Sequence, residues 1–328
     1  MVERFFRLVD RLPGPPELAF VLGGVLLAGL AHAIVWTSGA YAVGTVVPDL
    51  SVAPLLAGSL LALSAFMRRT ADSAFDDFRP ALGDLDTVEA ERQRLTAVRD
   101  RDALLGGVVI FAVSFLIYYA TVQPSVARRS DVVEALTGIL WLPATFVLGV
   151  VIAQTLSQLR AVRHLSEVAR NIDVLNPGPV DALSRVTLVG GLGPIGLVTA
   201  TNLVLPATLQ AYLGLDVGLG IFAVLAFILP LQVMHRRLGQ QKAELLAASA
   251  TRVRTVLDQL HHAIDAGELA AADGINKMVT SALAERDLLT RLSTWPWTTT
   301  TIRGFGSALL LPVVIFVITR GIDRLTGV

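Results

Sequence analysis

The chain has 328 residues, no net charge and no cysteine; 53% of its residues are hydrophobic and only 16% are charged. Soluble domains carry about a quarter charged residues, so the composition excludes an ordinary soluble domain and indicates a multi-pass membrane protein. The lack of cysteine also excludes disulfide frameworks, thiol catalysis and cysteine metal sites.

Seven apolar runs predict membrane helices, after an amphipathic start at Met1–Glu17 that we expect to lie along the inner membrane interface. Ala31-His32-Ala33 resembles a signal-peptide cleavage site, but the first run is too long for a typical signal peptide. The seventh run also fits an interfacial or re-entrant helix. In chain order the runs are Leu18–Trp36, Val52–Met67, Leu104–Val122, Val133–Leu156, Val186–Leu209, Leu215–Met234 and Ile302–Ile318.

Three charged segments separate these runs. The fourth run continues without a break into the second charged segment, where Leu175 is the last apolar position of the predicted helix and Asn176-Pro177-Gly178-Pro179 ends it. The predicted division is an interfacial segment at 1–17, membrane pairs at 18–67, 104–156 and 186–234, polar segments at 68–103, 157–185 and 235–297, and a seventh membrane helix at 298–320.

Arginine placement predicts the orientation of the chain in a plasma membrane. Nearly all arginines and both lysines fall in the N-terminal segment and the three polar segments, which predicts that these parts are cytoplasmic. Seven crossings then put the C-terminus outside, and six crossings return it to the inside. The outer segments hold only Arg128, Arg129, Arg320 and Arg324.

The third polar segment predicts a helical hairpin. Its first arm carries apolar residues at alternating steps of four and three, which is the spacing of a coiled-coil seam. Asp265-Ala266-Gly267-Glu268 predicts the turn, and a second amphipathic stretch follows, giving arms about 40 Å long. The seam residues are Leu246, Ala250, Val253, Leu257, Leu260 and Ile264.

Two sets of residues at the ends of this hairpin are typical of membrane interfaces. Arg236 and Arg237 follow the sixth apolar run, where they are expected to anchor the helix at anionic headgroups. Trp295 and Trp297 precede the seventh run, and paired tryptophans suit the interface because an apolar ring keeps a hydrated N–H. The alternative for the tryptophans is a buried aromatic pair at the base of the hairpin.

The sequence predicts no enzyme, no cofactor, no metal site and no nucleic-acid partner. Residues 191–196 match G-x-G-x-x-G, but they lie in an apolar run without a preceding strand, which favours a closely packed helix entrance. The histidines lack metal-ligand spacing. The paired acids Asp76-Asp77 and Glu89-x-Glu91 are interpreted as water-facing, and arginines interleaved with acids form no basic stripe.

Two stripes of uncharged polar residues mark the apolar runs, whose only charged residues, Glu134, Asp216 and Arg303, each stand at the second position of a run. Such a stripe can line an aqueous path or bond a neighbouring helix, and the lack of buried charge weakens an ion-coupled transporter. The fifth run carries Thr199, Asn202, Pro206 and Gln210, and the third carries Ser114, Tyr118 and Thr121.

The sequence Asn-Pro-Gly-Pro-Val-Asp-Ala-Leu-Ser-Arg at 176–185, the hairpin, and Leu-Ser-Thr-Trp-Pro-Trp at 292–297 before a final apolar helix resemble an uncharacterised family of prokaryotic multi-pass membrane proteins. The resemblance covers roughly the second half of the chain. It implies a shared topology and no activity, so no site residue follows from it.

The predicted fold is therefore all-α: a polytopic membrane protein with about seven transmembrane helices, cytoplasmic helical extensions and a helical hairpin. The first functional hypothesis is an oligomeric channel or pore gated or assembled by the cytoplasmic helices. The second is a membrane scaffold or signal transducer whose hairpin docks a partner, and the third is a secondary transporter. The expected partners are the lipid bilayer, further copies of the chain and a cytoplasmic protein.

Overall fold

A computed structural model describes residues 14–83, 87–117, 119–120, 131–176, 178–204, 220–295 and 302–307, together with residues 218, 297, 310 and 314. The regular secondary structure of these residues is helical throughout, which confirms the all-α prediction for this part of the chain. The helices are α1 Pro16–Thr37, α2 Pro48–Leu82, α3 Val88–Thr96, α4 Asp100–Ile117, α5 Asp131–Val168, α6 Gly178–Val204, α7 Gly220–Asp265 and α8 Leu269–Arg291.

Five of these helices are long and apolar enough to cross a membrane, namely α1, α2, α5, α6 and α7. They are compatible with a multi-pass membrane protein, but the predicted number of seven spans is not confirmed. α4, Asp100–Ile117, covers part of the third predicted run, Leu104–Val122, and residues 118 and 121–122 of that run lie outside the described residues. Most of the seventh run, and the amphipathic start at 1–13, lie outside the described residues.

Glycines set the close packing of the apolar helices. A Cβ built on Gly24 of α1 would lie 2.7 Å from the Pro54 carbonyl oxygen, and one on Gly58 of α2 would lie 2.5 Å from the Phe20 carbonyl oxygen. Likewise, a Cβ on Gly106 of α4 would lie 2.5 Å from the carbonyl oxygen of Gly149 in α5. Both helix pairs therefore approach this closely because glycine has no side chain, as is common when helices associate in membranes.

α2 is the central helix, packing against α1, α3, α5 and α6. It continues as one helix beyond its apolar part to Leu82, and Gly83 then takes a positive φ of 66°. α5 is also long, but it ends at Val168, before the predicted end at Leu175. The chain leaves the helix there because the backbone N–H groups of Arg170 and Asn171 donate to the Ala81 carbonyl oxygen, both at 3.0 Å.

At the opposite end of the molecule, side chains of α1 hold the loop that leads to α2. The Val47 backbone N–H donates to His32 Nε2 at 3.0 Å, so His32 Nδ1 carries the proton that it donates to the Ala28 carbonyl oxygen at 2.8 Å. Trp36 Nε1 donates to the Thr45 carbonyl oxygen at 2.9 Å. These bonds fix the neutral tautomer of His32 and the position of residues 45–47.

Candidate functional site

The three predicted polar segments meet on one side of the apolar helices. They share one hydrophobic core, here called the root cluster, which receives side chains from every polar segment. Burial of large apolar side chains is the main force that holds such a cluster together. Its largest members are Phe75, Phe78 and Leu82 of α2, Leu95 of α3, Val162 and Leu165 of α5, Leu183 of α6, and Leu231, Met234 and Leu238 of α7.

Arg92 attaches α3 to α2 at the edge of the root cluster. Its Nε lies 2.7 Å from Asp72 Oδ1 and its Nη2 lies 2.8 Å from Asp76 Oδ1. The guanidinium carbon is also 5.8 Å from the centre of the Phe75 ring. The hydrogen bond with Asp72 raises the pKa of Arg92. These exposed ion pairs set the position of α3 more than they stabilise the fold.

Glu91 contradicts its interpretation as a water-facing acid, because only 6% of its surface is exposed. Its Oε1 accepts a hydrogen bond from Arg94 Nη1 at 2.7 Å and lies 3.4 Å from His164 Nε2 of α5. A buried carboxylate needs such partners. Helical periodicity of charges could not predict this burial, because it depends on α5, some seventy residues later in the chain.

Two basic side chains of α7 bind the C-terminal ends of other helices. Arg237 Nη1 donates to the Ala169 carbonyl oxygen at 2.8 Å and Nη2 to that of Glu167 at 2.6 Å, at the end of α5. Lys242 Nζ donates to the carbonyl oxygens of Thr290 and Leu292, both at 2.7 Å, at the end of α8. Cations are favoured at helix C-termini, where carbonyl groups lack intrahelical partners.

The predicted interface anchors therefore occupy different surroundings. Arg237 is engaged with the end of α5, whereas Arg236 is exposed. Trp295 is 41% exposed, and Trp297 packs against the root cluster. The prediction that these residues contact headgroups stays a prediction.

An aromatic column joins the base of the hairpin to residues on both sides of it. The ring centres of His235 and Trp295 are 3.9 Å apart, and those of Trp295 and Trp297 are 4.6 Å apart. Trp297 then stacks on Phe227 at 4.7 Å, and Phe227 stacks on Phe305 at 4.1 Å. The column links α7, the segment after α8 and the start of the seventh apolar run, so it fixes the direction of the hairpin.

The hairpin itself consists of the second part of α7, Gln232–Asp265, and α8. A 3₁₀ turn at Leu229–Leu231 separates this arm from the apolar part of α7. The arms have 34 and 23 residues, so they extend for about 50 and about 35 Å. The turn between them is the predicted one, with Gly267 at a φ of 74°. Arg252 Nη2 and Glu285 Oε1 bridge the arms at 3.0 Å.

The predicted seam residues are buried to different extents. Val253 is buried, while Leu246, Leu257 and Leu260 are half-buried. Ile264 is 51% exposed. Beyond Leu238, the buried residues of this arm are Ser249, Val253 and Ala263, so the face covered by α8 is rotated away from the predicted seam.

This rotation leaves an apolar flank on α7 that α8 does not fully cover. The residues on this flank, here called the α7 strip, are Leu246, Ala250, Leu257 and Ile264. They recur at steps of four, seven and seven and therefore share one side of the helix. The other flank of the hairpin is a groove of mixed lining, with Val256, Met278 and Ala282 beside polar residues that include Thr255, Lys277 and Glu285.

The residues predicted to line a membrane path are only partly described. Thr199 is half-buried in α6, and Ser114 is buried in α4. Asn202 lies in the last turn of α6, and nothing of its side chain is described. The remaining four positions, Tyr118, Thr121, Pro206 and Gln210, lie outside the described residues. α4 packs on α5, whereas α6 packs on α2 and α5.

Sequence reasoning missed a different set of buried polar residues, on α5. Gln154 and Ser64 of α2 are joined by two hydrogen bonds, one of them from Gln154 Nε2 to the Ser64 carbonyl oxygen at 3.1 Å. Thr155 Oγ1 donates to the Gly190 carbonyl oxygen at 3.3 Å, and Gln158 Nε2 to that of Met67 at 3.4 Å. These bonds connect α5 to α2 and α6, which is a role in helix packing.

Comparison of the chain with protein-family models, with characterised proteins and with solved structures found no match. Its function is therefore inferred from its own geometry. That geometry offers two surfaces of interest: the α7 strip on the hairpin and the packed apolar helices beneath it.

Proposed function

We propose that this protein is a membrane-anchored scaffold whose helical hairpin binds an amphipathic helix of a cytoplasmic partner protein. The observation that carries the proposal is the α7 strip. Its four apolar side chains span the 19 residues from Leu246 to Ile264, or about 27 Å of the α7 arm. The residues of the strip are half-buried from Leu246 to Leu257 and exposed at Ile264, and a regular apolar stripe that remains partly exposed on a helix is typical of a protein-binding surface.

The form of the strip supports a helical partner. Helix-in-groove recognition uses apolar anchors at coiled-coil spacing along the receiving surface. α8 packs on one side of the α7 arm, so a further helix along the strip completes a three-helix arrangement. Leu257 lies at the centre of the strip and is the expected main anchor, since anchors near the middle of an interface are best shielded from water.

The base of the hairpin suits a scaffold because it is held from several directions. Arg237 ties it to α5, Lys242 ties its two arms together, and Met234 and Leu238 bury its first turns in the root cluster. The aromatic column adds contacts to the segment after α8. A docking surface held in a fixed direction loses less conformational freedom when it binds a partner.

The cytoplasmic location is part of the same proposal. All three arginine-rich segments contribute to the root cluster, so they lie on the same side of the apolar helices. The positive-inside rule assigns such a side to the cytoplasm of a plasma membrane, with the N-terminus also inside.

An oligomeric pore is the second proposal, and the polar stripe of the fifth run is the observation that favours it. A lone amide in lipid is costly, so Asn202 should face protein or water. If α6 lines a pore, Asn202→Leu reduces flux through the protein in liposomes and leaves assembly intact. If no ion or solute flux is found from well-assembled protein across a broad range of voltages, the pore is excluded and the scaffold stands.

The scaffold is tested by site-specific photo-crosslinking in native membranes. A photoreactive side chain placed at Leu257 is expected to give one discrete adduct, and the same group at Asp258, on the exposed side of α7, is expected to give none. An adduct whose mass is twice that of the chain identifies a second copy as the bound helix. Absence of any discrete adduct at Leu257, with the protein intact and monomeric, contradicts the proposal.

A further inference from the structure

A groove on the outer surface of the apolar helices lies between α2 and α6. It has a volume of about 440 Å³, within the range of about 300–1,000 Å³ that is usual for ligand pockets, and its walls are almost wholly apolar. Both helices that form it are apolar enough to cross a membrane, so the groove opens where lipid would be. It is lined by Ser59, Leu63 and Phe66 of α2 and by Leu188, Val189, Leu192, Gly193, Gly196 and Leu197 of α6.

Two glycines of α6 create this groove. A Cβ on Gly193 would lie 2.6 Å from Leu63 Cδ1, so the missing side chain lets Leu63 pack directly on the α6 backbone. A Cβ on Gly196 would meet no atom within 4 Å, so the missing side chain there leaves open space. The G-x-G-x-x-G match of the sequence thus forms part of the wall of a lipid-facing groove.

The same face of α2 becomes polar towards the root cluster. Leu63, Phe66, Thr70, Ser73 and Asp77 recur every three or four residues and therefore lie along one side of the helix. Thr70 is half-buried and Ser73 is exposed. From Leu63 to Asp77 the face extends for about 21 Å, close to the roughly 20–22 Å of one bilayer leaflet with its headgroups.

An ion pair lies at the polar end of this face. Arg185 of α6, one turn before Leu188 of the groove, binds Asp77 of α2. Their side chains are 52% and 50% exposed, so both retain surface for a ligand. A second ion pair, Arg69 with Glu17 of α1, lies near the same end of α2. Each pair is neutral as a whole, which favours a zwitterionic ligand over an anionic one.

We propose that the groove binds one inner-leaflet phospholipid whose headgroup carries a primary ammonium group, that is, a phosphatidylethanolamine. An acyl chain lies along Leu63, Phe66 and Gly193, and the glycerol region lies beside Thr70 and Ser73. The phosphate binds the Arg185 guanidinium, whose planar donors match phosphate oxygens. The ammonium group donates to the Asp77 carboxylate, so one headgroup replaces the Arg185–Asp77 pair with two complementary contacts.

The lipid chemistry follows from these contacts. Phosphatidylglycerol offers the phosphate but no cation for Asp77, and its net negative charge is repelled by that carboxylate. Phosphatidylcholine offers a cation that cannot donate a hydrogen bond, because its nitrogen is fully methylated. The expected order of binding is therefore phosphatidylethanolamine first, with the other two weaker.

The test is native mass spectrometry of the purified full chain titrated with each of the three lipids in detergent. Wild-type protein is expected to bind phosphatidylethanolamine about tenfold more tightly than phosphatidylglycerol, the difference expected for one charge-assisted hydrogen bond. Gly196→Leu fills the groove and is expected to lower binding of all three lipids. Gly29→Leu adds the same side chain on the exposed side of α1 and is expected to change nothing, because a Cβ there also meets no atom within 4 Å.

Headgroup recognition is tested separately with Asp77→Asn. This change is expected to abolish the preference for phosphatidylethanolamine while acyl-chain binding persists. Ser59→Leu is a second groove-filling variant if Gly196→Leu does not fold, and each variant is compared at equal circular dichroism and elution volume. Equal binding of the three lipids to wild-type protein, or unchanged binding in both groove-filling variants, overturns the proposal. These results are independent of crosslinking at the hairpin, so the lipid site and the scaffold can fail separately.

Discussion

Two leucine-to-alanine substitutions on α7 separate a packing residue from a docking residue. Leu238 is buried in the root cluster, whereas Leu257 is half-buried on the α7 strip. Truncation of a fully packed leucine costs about 2–5 kcal/mol, so Leu238→Ala is expected to fall in that range. Full burial of a leucine side chain contributes about 1.5–3 kcal/mol. Leu257 is only half-buried, so Leu257→Ala is expected to lower the stability of the isolated protein by about 1 kcal/mol.

The measurement is the free energy of opening of the hairpin, taken from amide hydrogen exchange of the two variants in the same detergent. Leu238→Ala should lower the free energy of opening of both arms near their base. Leu257→Ala should change that free energy only slightly, but it should weaken the photo-crosslink formed from a neighbouring strip position in native membranes. If Leu257→Ala costs as much as Leu238→Ala and leaves the crosslink unchanged, Leu257 is a packing residue and the strip is not a docking surface.

Three further substitutions test the packing. Arg237→Ala removes two hydrogen bonds to the end of α5 and should lower the free energy of unfolding by about 1–2 kcal/mol in chemical denaturation. Arg236 is exposed, so Arg236→Ala should change that free energy by less than about 0.5 kcal/mol. Equal effects of the two substitutions would contradict the assigned contacts. Gly149→Ala should lower the thermal midpoint by at least about 3 °C by separating α4 from α5, and Gly138→Ala, in open space, should leave it unchanged. Gln154→Leu should cost only about 0.6 kcal/mol, as for an interhelical hydrogen bond, and a large change in solute flux would instead show that α5 lines a path.

Local signals in the sequence predicted much of the hairpin. Gly267 takes the positive φ that ends α7, and such a turn is set by the residue types at the turn itself. The spacing of apolar residues also predicted a continuous helix from Leu246 to Ile264. The periodicity of apolar residues does not predict which side of α7 the second arm covers. The covered side includes Ser249, a small buried residue that lets α8 approach closely and that lies outside the predicted seam.

Contacts between distant parts of the chain were not predictable in this way. The column from Phe227 to Trp297 joins rings seventy residues apart, and a single tryptophan pair gives no sign of its partners. Gln154 lies near the end of the fourth apolar run and Gln158 at the start of the polar segment that follows it, and neither position alone indicates that both side chains are buried against α2. Burial of these amides is decided by the close approach of three helices, which composition alone does not fix.

The structure also decides where a reporter cysteine belongs. Ser249 suits the cysteine-free chain as a labelling site by sequence, but its side chain is fully buried between the arms. Asp258 is exposed on the same helix and Leu257 lies on the strip, so this adjacent pair reports on the orientation of the hairpin and on its occupancy.

The most direct test of the scaffold is therefore the rate at which a membrane-impermeant maleimide labels single cysteines at these two positions. In native membranes, labelling is expected only from the cytoplasmic side, with the Leu257 position about tenfold slower than the Asp258 position, since a bound helix shields anchor residues from water. After purification, the labelling rate of the Leu257 position should rise close to that of the Asp258 position. The labelling rate of the Asp258 position should stay constant. Labelling of the Asp258 position in intact cells, or unchanged labelling of the Leu257 position before and after purification, would contradict a cytoplasmic hairpin that holds a partner.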